Sequence, residues 1–168
     1  MLVALPVGAA NQITQVIAAG TRSASIANLT LGGTTVSHSS QTSAGTMTLT
    51  ADDSTGSNLG WNVTVLSSAF VYSGTNGGTD IPAANFTLTS AASPVRTAGQ
   101  AVNVVGGPLV PAISPVGTLD SARKTVQALV LFGNGTYTQD LGVSLTIPAD
   151  SAAGTYTGTL TTTISAAP

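Results

Sequence analysis

Charged side chains are scarce in this sequence, because its 168 residues include four Lys or Arg, six Asp and no Glu. It has no cysteine and a single histidine, His38. Acid–base catalysis, thiolate attack and zinc ligation draw mainly on His, Glu, Cys and Lys. The composition therefore predicts a protein that is not an enzyme and holds no cofactor or metal.

The few cations also argue against two classes of partner. The four basic residues are mostly scattered and the net charge is −2, so there is no basic surface for phosphates, and we expect no nucleic-acid binding. The apolar N-terminal run is much shorter than the roughly 20 residues that a membrane-spanning helix requires. We therefore expect no membrane span.

Threonine, serine, valine and glycine dominate what is present, and aromatics make up only 4%. Thr and Val favour strands, while strong helix formers are rare. The sequence predicts an all-β fold, a two-sheet β-sandwich of about ten short, mainly antiparallel strands over residues 19–168. Residues 1–18 are predicted to form an apolar N-terminal extension.

Alternation and turn residues place the strands. Trp61, Val63 and Val65 should face the core, while prolines make residues 100–119 an extended loop or a sheet edge. The predicted strands are 13–18, 23–31, 46–51, 61–66, 70–72, 86–89, 125–132, 137–147 and 155–164, with a polar turn at 52–58.

The N-terminal extension is a candidate donor strand. Its first ten residues resemble the end of a secretory signal but lack a basic region. An added strand pairs with a sheet edge and places alternate side chains in apolar pockets. The candidate subunit contacts are Leu5, Val7, Ile13, Val16 and Ile17.

Three further features have a plain explanation and a functional one. His38 lies among hydroxyl residues, which favours a histidine in a solvated loop over a catalytic or metal-binding one. Asp52-Asp53 fits a turn better than a Ca²⁺ site, because the residues that follow lack the full set of Ca²⁺ ligands. Trp61 and the tyrosines are candidates for stacking on sugar, although alternation turns Trp61 inward. Possible N-glycosylation sites, each in an Asn-x-Thr triplet, are Asn28, Asn62, Asn85 and Asn134.

Several short motifs carry a family resemblance. These are the stretch around Trp61-Asn-Val63, Ile81-Pro-Ala83, and residues 147–160, which run from Ile-Pro-Ala-Asp to Tyr156-Thr-Gly-Thr-Leu160. Together they resemble the WxL domains, secreted β-rich domains that associate non-covalently with bacterial cell walls.

The chain departs from the family pattern at both of its tryptophan motifs. The first has Val63 where the family has Leu. In the second, Tyr156, Leu160 and Pro168 fit the pattern, but Thr162 replaces the tryptophan and Ile164 the leucine. The resemblance therefore implies the fold more directly than it implies wall binding.

Two functions are considered, of which the first is preferred, and both imply a secreted protein of the cell surface. The first is a structural subunit that polymerises head to tail with copies of itself through its N-terminal strand. The second is a monomeric module that binds cell-wall polysaccharide, peptidoglycan or another glycan. Filaments that persist without residues 1–17 would exclude the first.

Overall fold

A computed structural model describes residues 13–113 and 115–166. It confirms the predicted all-β class, since eleven strands and one 3-10 turn (Ala83–Asn85) form the regular structure of these residues. The strands are β1 (Arg22–Ile26), β2 (Gln41–Asp53), β3 (Trp61–Ser67), β4 (Val71–Ser73), β5 (Phe86–Ala91), β6 (Val95–Gly99), β7 (Gly117–Thr118), β8 (Arg123–Ala128), β9 (Gly135–Ile147), β10 (Thr155–Thr157) and β11 (Leu160–Ala166).

The strands form two main antiparallel sheets and a small ribbon. The larger sheet has the order β1-β2-β9-β5-β7, with β6 also paired to β9, and the smaller has the order β11-β3-β8. Strands β4 and β10 form the ribbon. The 13-residue strands β2 and β9 pair along their full length, from Gln41 opposite Ile147 to Asp53 opposite Gly135. At about 3.3 Å per residue they separate the two ends of the molecule by roughly 40 Å.

The core contains side chains from both sheets. Strand β3 alternates as predicted, and Trp61, Val63 and Val65 are fully buried in one cluster with Leu49 and Leu141 of the larger sheet. This burial follows from the period-2 pattern of the strand, which puts its aliphatic residues on one face. The Gln139 amide links the sheets by donating to the carbonyl of Thr125 in β8.

Several predicted strand boundaries are wrong, among them that of the strand over 125–132, which ends at Ala128. Residues 13–18 form no strand, and the predicted strand over 23–31 ends at Ile26. Asp52 and Asp53 belong to β2 rather than to a turn, because β9 continues to pair with them.

The predicted strand over 155–164 is interrupted at Gly158 and Thr159. Ser68 exchanges hydrogen bonds with Thr159 there, and the ring of Phe70 packs against Gly158. The proline-rich stretch 100–119 is a loop with one two-residue strand, as predicted.

Candidate functional site

The first tryptophan motif lies inside the core. Trp61 is fully buried, and its indole N–H donates to the carbonyl of Gly133 at 2.8 Å. Its ring centroid lies 6.1 Å from that of Tyr137. Val63 is also fully buried. These two motif positions can stabilise the fold but cannot contact a ligand on the surface.

The second motif pairs directly with the first. In the ladder between β3 and β11, Ile164 lies opposite Val63, and Ala166 lies opposite Trp61. Thr162, at the position of the missing tryptophan, lies opposite Val65 and is half-buried on the same face. This pairing was not predictable from the sequence. Pro168 lies outside the described residues.

Tyr156 and Leu160 lie at the opposite end of the smaller sheet, where the surface opens into a groove. Tyr156 lines an open cavity of about 780 Å³, and Leu160 lines an adjoining one of about 360 Å³. The two cavities share Leu29, Leu31, Phe70, Thr157 and Gly158. We call them together the groove.

One wall of the groove is the segment of residues 27–36, which continues from β1 outside any strand. Side chains of β2 fix its course, because Ser43 Oγ donates to the carbonyl of Gly32 and Gln41 Nε2 to that of Thr35. Gly45 leaves space for Leu29 and Leu31 to pack over the sheet. The aliphatic side chains of this segment therefore contribute to the groove floor.

The opposite wall is the loop of residues 148–154. The Asp150 N–H donates to the Ser37 carbonyl at 2.8 Å, and the Asp150 carboxylate lies 2.5 Å from His38 Nδ1. Both side chains are mostly exposed, so this contact contributes little stability. The contact nevertheless joins the two walls at the rim of the groove.

Two tyrosines anchor this loop from below. The Tyr156 hydroxyl donates to the carbonyl of Ala152 at 2.9 Å, and that of Tyr72 to Ala153 at 3.1 Å. The two rings lie 5.3 Å apart at 56°. Tyr156 is thus only half-buried while its hydroxyl is already bonded, so its ring is the part available to a ligand.

The chemistry of the lining is neutral. No charged side chain lines the larger cavity, in which hydroxyl groups surround a floor of Leu31, Phe70, Ile81 and Leu145. The hydroxyl-bearing residues are Thr30, Thr34, Thr35, Ser37, Ser43, Ser151, Thr155, Tyr156 and Thr157. Such a surface fits an uncharged, hydroxyl-rich ligand with apolar faces.

The aspartates considered for Ca²⁺ already have partners. Asp53 is buried, pairs with Arg22 Nε at 3.0 Å and accepts bonds from the backbone N–H and hydroxyl of Thr55. Asp52 accepts a bond from the Thr136 hydroxyl at 2.6 Å. Within residues 13–113 and 115–166, no group of three or more His, Asp, Glu or Cys residues forms a metal site.

The remaining candidate residues are spread over the surface. Asn28 and Asn134 are exposed, Asn62 is half-buried in β3, and half-buried Asn85 donates from its amide to the Thr146 carbonyl. Of the proposed subunit contacts, Ile13, Val16 and Ile17 are 99%, 79% and 90% exposed. The other two, Leu5 and Val7, lie outside the described residues.

Comparison with known families matches residues 13–168 to the model of the WxL domain, described as a surface cell wall-binding domain. The chain belongs to the WxL domain family. Searches of the curated proteins and of the solved structures return no match. The resemblance carried by the short motifs is therefore confirmed over nearly the whole chain.

This membership identifies a protein of the cell surface or the extracellular space. The WxL domain is a wall-binding family rather than an enzyme family. No helix among the described residues is long and apolar enough to cross a membrane. The groove was not predictable from the sequence, because its two walls, residues 27–36 and 148–154, lie far apart in the chain.

Proposed function

We propose that this WxL domain binds a neutral wall polysaccharide, or the glycan strands of peptidoglycan, in the groove. The observation that carries the proposal is the uncharged, hydroxyl-lined groove, in which Tyr156 of the family motif forms part of the wall. Family membership supplies the ligand class, a component of the cell wall.

The physical fit is that of a sugar surface. A sugar ring has apolar C–H faces and a rim of hydroxyls, so it pairs with aliphatic and aromatic side chains on one side and hydrogen-bonding groups on the other. The groove supplies both, with Phe70 and Tyr156 beside Thr30, Thr35 and Ser151. Its lack of charge favours neutral sugars over anionic wall polymers, which need cationic partners.

The test is co-sedimentation with purified cell walls, before and after removal of their accessory polysaccharides. Gly33 lines the groove, its φ is not positive and nothing lies within 4 Å of a Cβ added there, so Gly33→Gln adds bulk without strain. We expect Gly33→Gln and Tyr156→Ala to lower wall binding about tenfold or more, the effect of losing a central contact. Val95→Gln, on exposed β6 outside the groove, is the matched control.

Salt dependence separates this proposal from binding to charged polymers. Binding in a neutral groove should change little when salt is raised, whereas ion pairing weakens as screening increases. Unchanged binding by folded Gly33→Gln and Tyr156→Ala proteins would place the wall contact elsewhere on the domain.

A second candidate function is head-to-tail self-assembly by strand addition, supported by the exposure of Ile13, Val16 and Ile17. Gly20 is fixed to Ser54 near one end of the molecule, and the groove lies at the other. A segment seated in the groove of the next copy makes a head-to-tail contact, which extends into a filament when the rotation between copies does not close a ring. Electron microscopy of the chain with and without residues 1–17 tests this idea, which normal filaments from the shortened chain would exclude.

A further inference from the structure

Two neighbouring turns at the end away from the groove present large aliphatic side chains to solvent. Turn residues are usually Gly, Asn, Asp, Pro or Ser, whose backbone or hydrogen-bonding preferences fit a turn. Here the turn tips hold Val104-Val105 and Val130-Leu131 instead. With the flanking residues, the exposed set is Leu59, Val102, Val104, Val105, Val130 and Leu131, which we call the apolar tip.

Hydrogen bonds bring these residues into one surface. The Leu129 N–H donates to the carbonyl of Gly106 at 2.8 Å, and the ring of Phe132 packs against Gly106, so the two turns adjoin. The Leu131 N–H donates to the carbonyl of Asn58 at 2.9 Å, which brings Leu59 alongside. The tip is therefore contiguous.

The tip is also held rigidly. The Asn103 side chain accepts bonds from the N–H groups of Val105 and Gly106 and fixes the first turn. In the second turn, Leu131 has φ of 74°, which is rare for a bulky residue. A costly conformation that keeps a leucine 64% exposed is unusual unless the exposed side chain has a partner.

Charge identifies the kind of partner. The chain stretches that build the tip, residues 54–79, 97–119 and 125–139, contain no charged residue. Of the ions at this end of the larger sheet, Arg22 and Asp53 are paired with each other, and the Arg96 guanidinium donates to the Gly99 carbonyl. The tip has no cation for an anionic lipid surface, and its exposed aliphatic side chains cannot hydrogen-bond to sugar. It fits a partner surface that is equally neutral and aliphatic.

We propose that the apolar tip pairs with the same tip of a second copy of this chain. An identical tip is complementary in charge and polarity, and symmetric pairing of one patch with itself closes as a dimer. The six side chains are 40% to 94% exposed, but six residues are fewer than the roughly 20–30 that each partner contributes to a standard interface. The dimer should therefore be weak.

Sedimentation velocity on the isolated protein, up to its highest soluble concentration, tests the pairing. We expect a reversible monomer–dimer equilibrium, weakened about tenfold or more by Val104→Thr with Val105→Thr, which keeps side-chain shape and adds hydroxyls. Val36→Thr with Val71→Thr is the control, because both valines are more than half exposed at the groove end of the molecule. Leu131→Asn should also weaken the dimer without loss of melting temperature, because Asn tolerates positive φ.

The absence of native cysteine allows a direct geometric check. With a short bismaleimide linker, Val104→Cys should give crosslinked dimers and Val71→Cys should not. A monomer at every concentration, or equal dimerisation by tip and control variants, would overturn the proposal.

Further experiments distinguish two other partners that would cover the tip in place of a second copy. Dimerisation that arises only after removal of residues 1–17 would mean that the chain's own N-terminal segment covers the tip, and the proposal fails. Binding of the monomer to neutral phosphatidylcholine vesicles, lost with the tip variants, would replace the second copy with a lipid surface. Wall binding is measured separately, so its failure would leave this inference intact.

Discussion

Replacing Trp61 by Phe separates a structural role for the family tryptophan from a role in ligand contact. The side chain is fully buried and donates to the carbonyl of Gly133. Phe keeps a ring in the site but has no hydrogen-bond donor, so the Gly133 carbonyl loses its partner. This loss should lower the free energy of unfolding by about 1–3 kcal/mol. The smaller ring leaves part of the site empty, which adds roughly 1 kcal/mol.

The total expected loss of unfolding free energy is therefore about 2–4 kcal/mol, mostly from the orphaned carbonyl. For a domain of this size each kcal/mol shifts the melting temperature by about 2–4 °C, so we expect Tm to fall by roughly 4–16 °C. Circular dichroism is the appropriate assay, because Trp61 is the chain's only tryptophan and its fluorescence is lost with the substitution.

Wall binding, measured well below the lowered Tm, should equal that of the unaltered protein. The groove lies at the other end of β3, far from Trp61. A Trp61→Phe protein that melts normally but no longer sediments with walls would refute the buried, structural role.

Three further substitutions test the packing that supports the fold. Arg22→Met leaves buried Asp53 without its ion partner and should lower the free energy of unfolding, measured by chemical denaturation, by about 3 kcal/mol. This value is near the low end for a broken buried pair, because Thr55 still donates hydrogen bonds to Asp53. Gly60→Ala should lower the free energy of unfolding by about 2–4 kcal/mol, since the φ of Gly60 is +72° and the new Cβ would lie 2.5 Å from the Ala128 carbonyl oxygen. An unchanged denaturation midpoint would contradict this expectation. Burial raises the pKa of Tyr137, opposed by Arg96 and aided by Asp53, so the folded state keeps this proton longer than the unfolded chain. Stability should therefore fall as pH rises above about 10, the unfolded pKa, and Tyr137→Phe should flatten that fall in pH-dependent melting.

Local patterns predicted the core strands because burial there follows side-chain alternation. Trp61, Val63 and Val65 alternate in the sequence and lie on one buried face. The same reasoning predicted a strand at 13–18, where apolar residues occur but no neighbouring strand pairs with them. A strand exists only through its partner, and the identity of that partner is not a local property.

The groove and the apolar tip were not predictable for the same reason. Tyr156 faces a cavity whose other wall comes from residues 27–36, more than a hundred positions earlier. In the sequence, Val104 lies in a loop and Leu131 in a predicted strand, and nothing links the two. In the structure, the contact between Gly106 and Phe132 brings their turns together. Sequence patterns indicate which face a residue takes, but not which distant segments share that face.

The shortage of charged residues allows copies of this chain to approach one another closely. An ordinary soluble domain has about 25–35% charged residues on its surface, which keeps copies apart. This chain has 6% charged residues and a net charge of −2, and Arg22–Asp53 forms an internal pair. Repulsion between copies is therefore small and is screened beyond about 8 Å at physiological salt. Two copies can then approach closely enough to pair through their tips, with their grooves at the two far ends of the dimer, an arrangement that a conventionally charged surface would oppose.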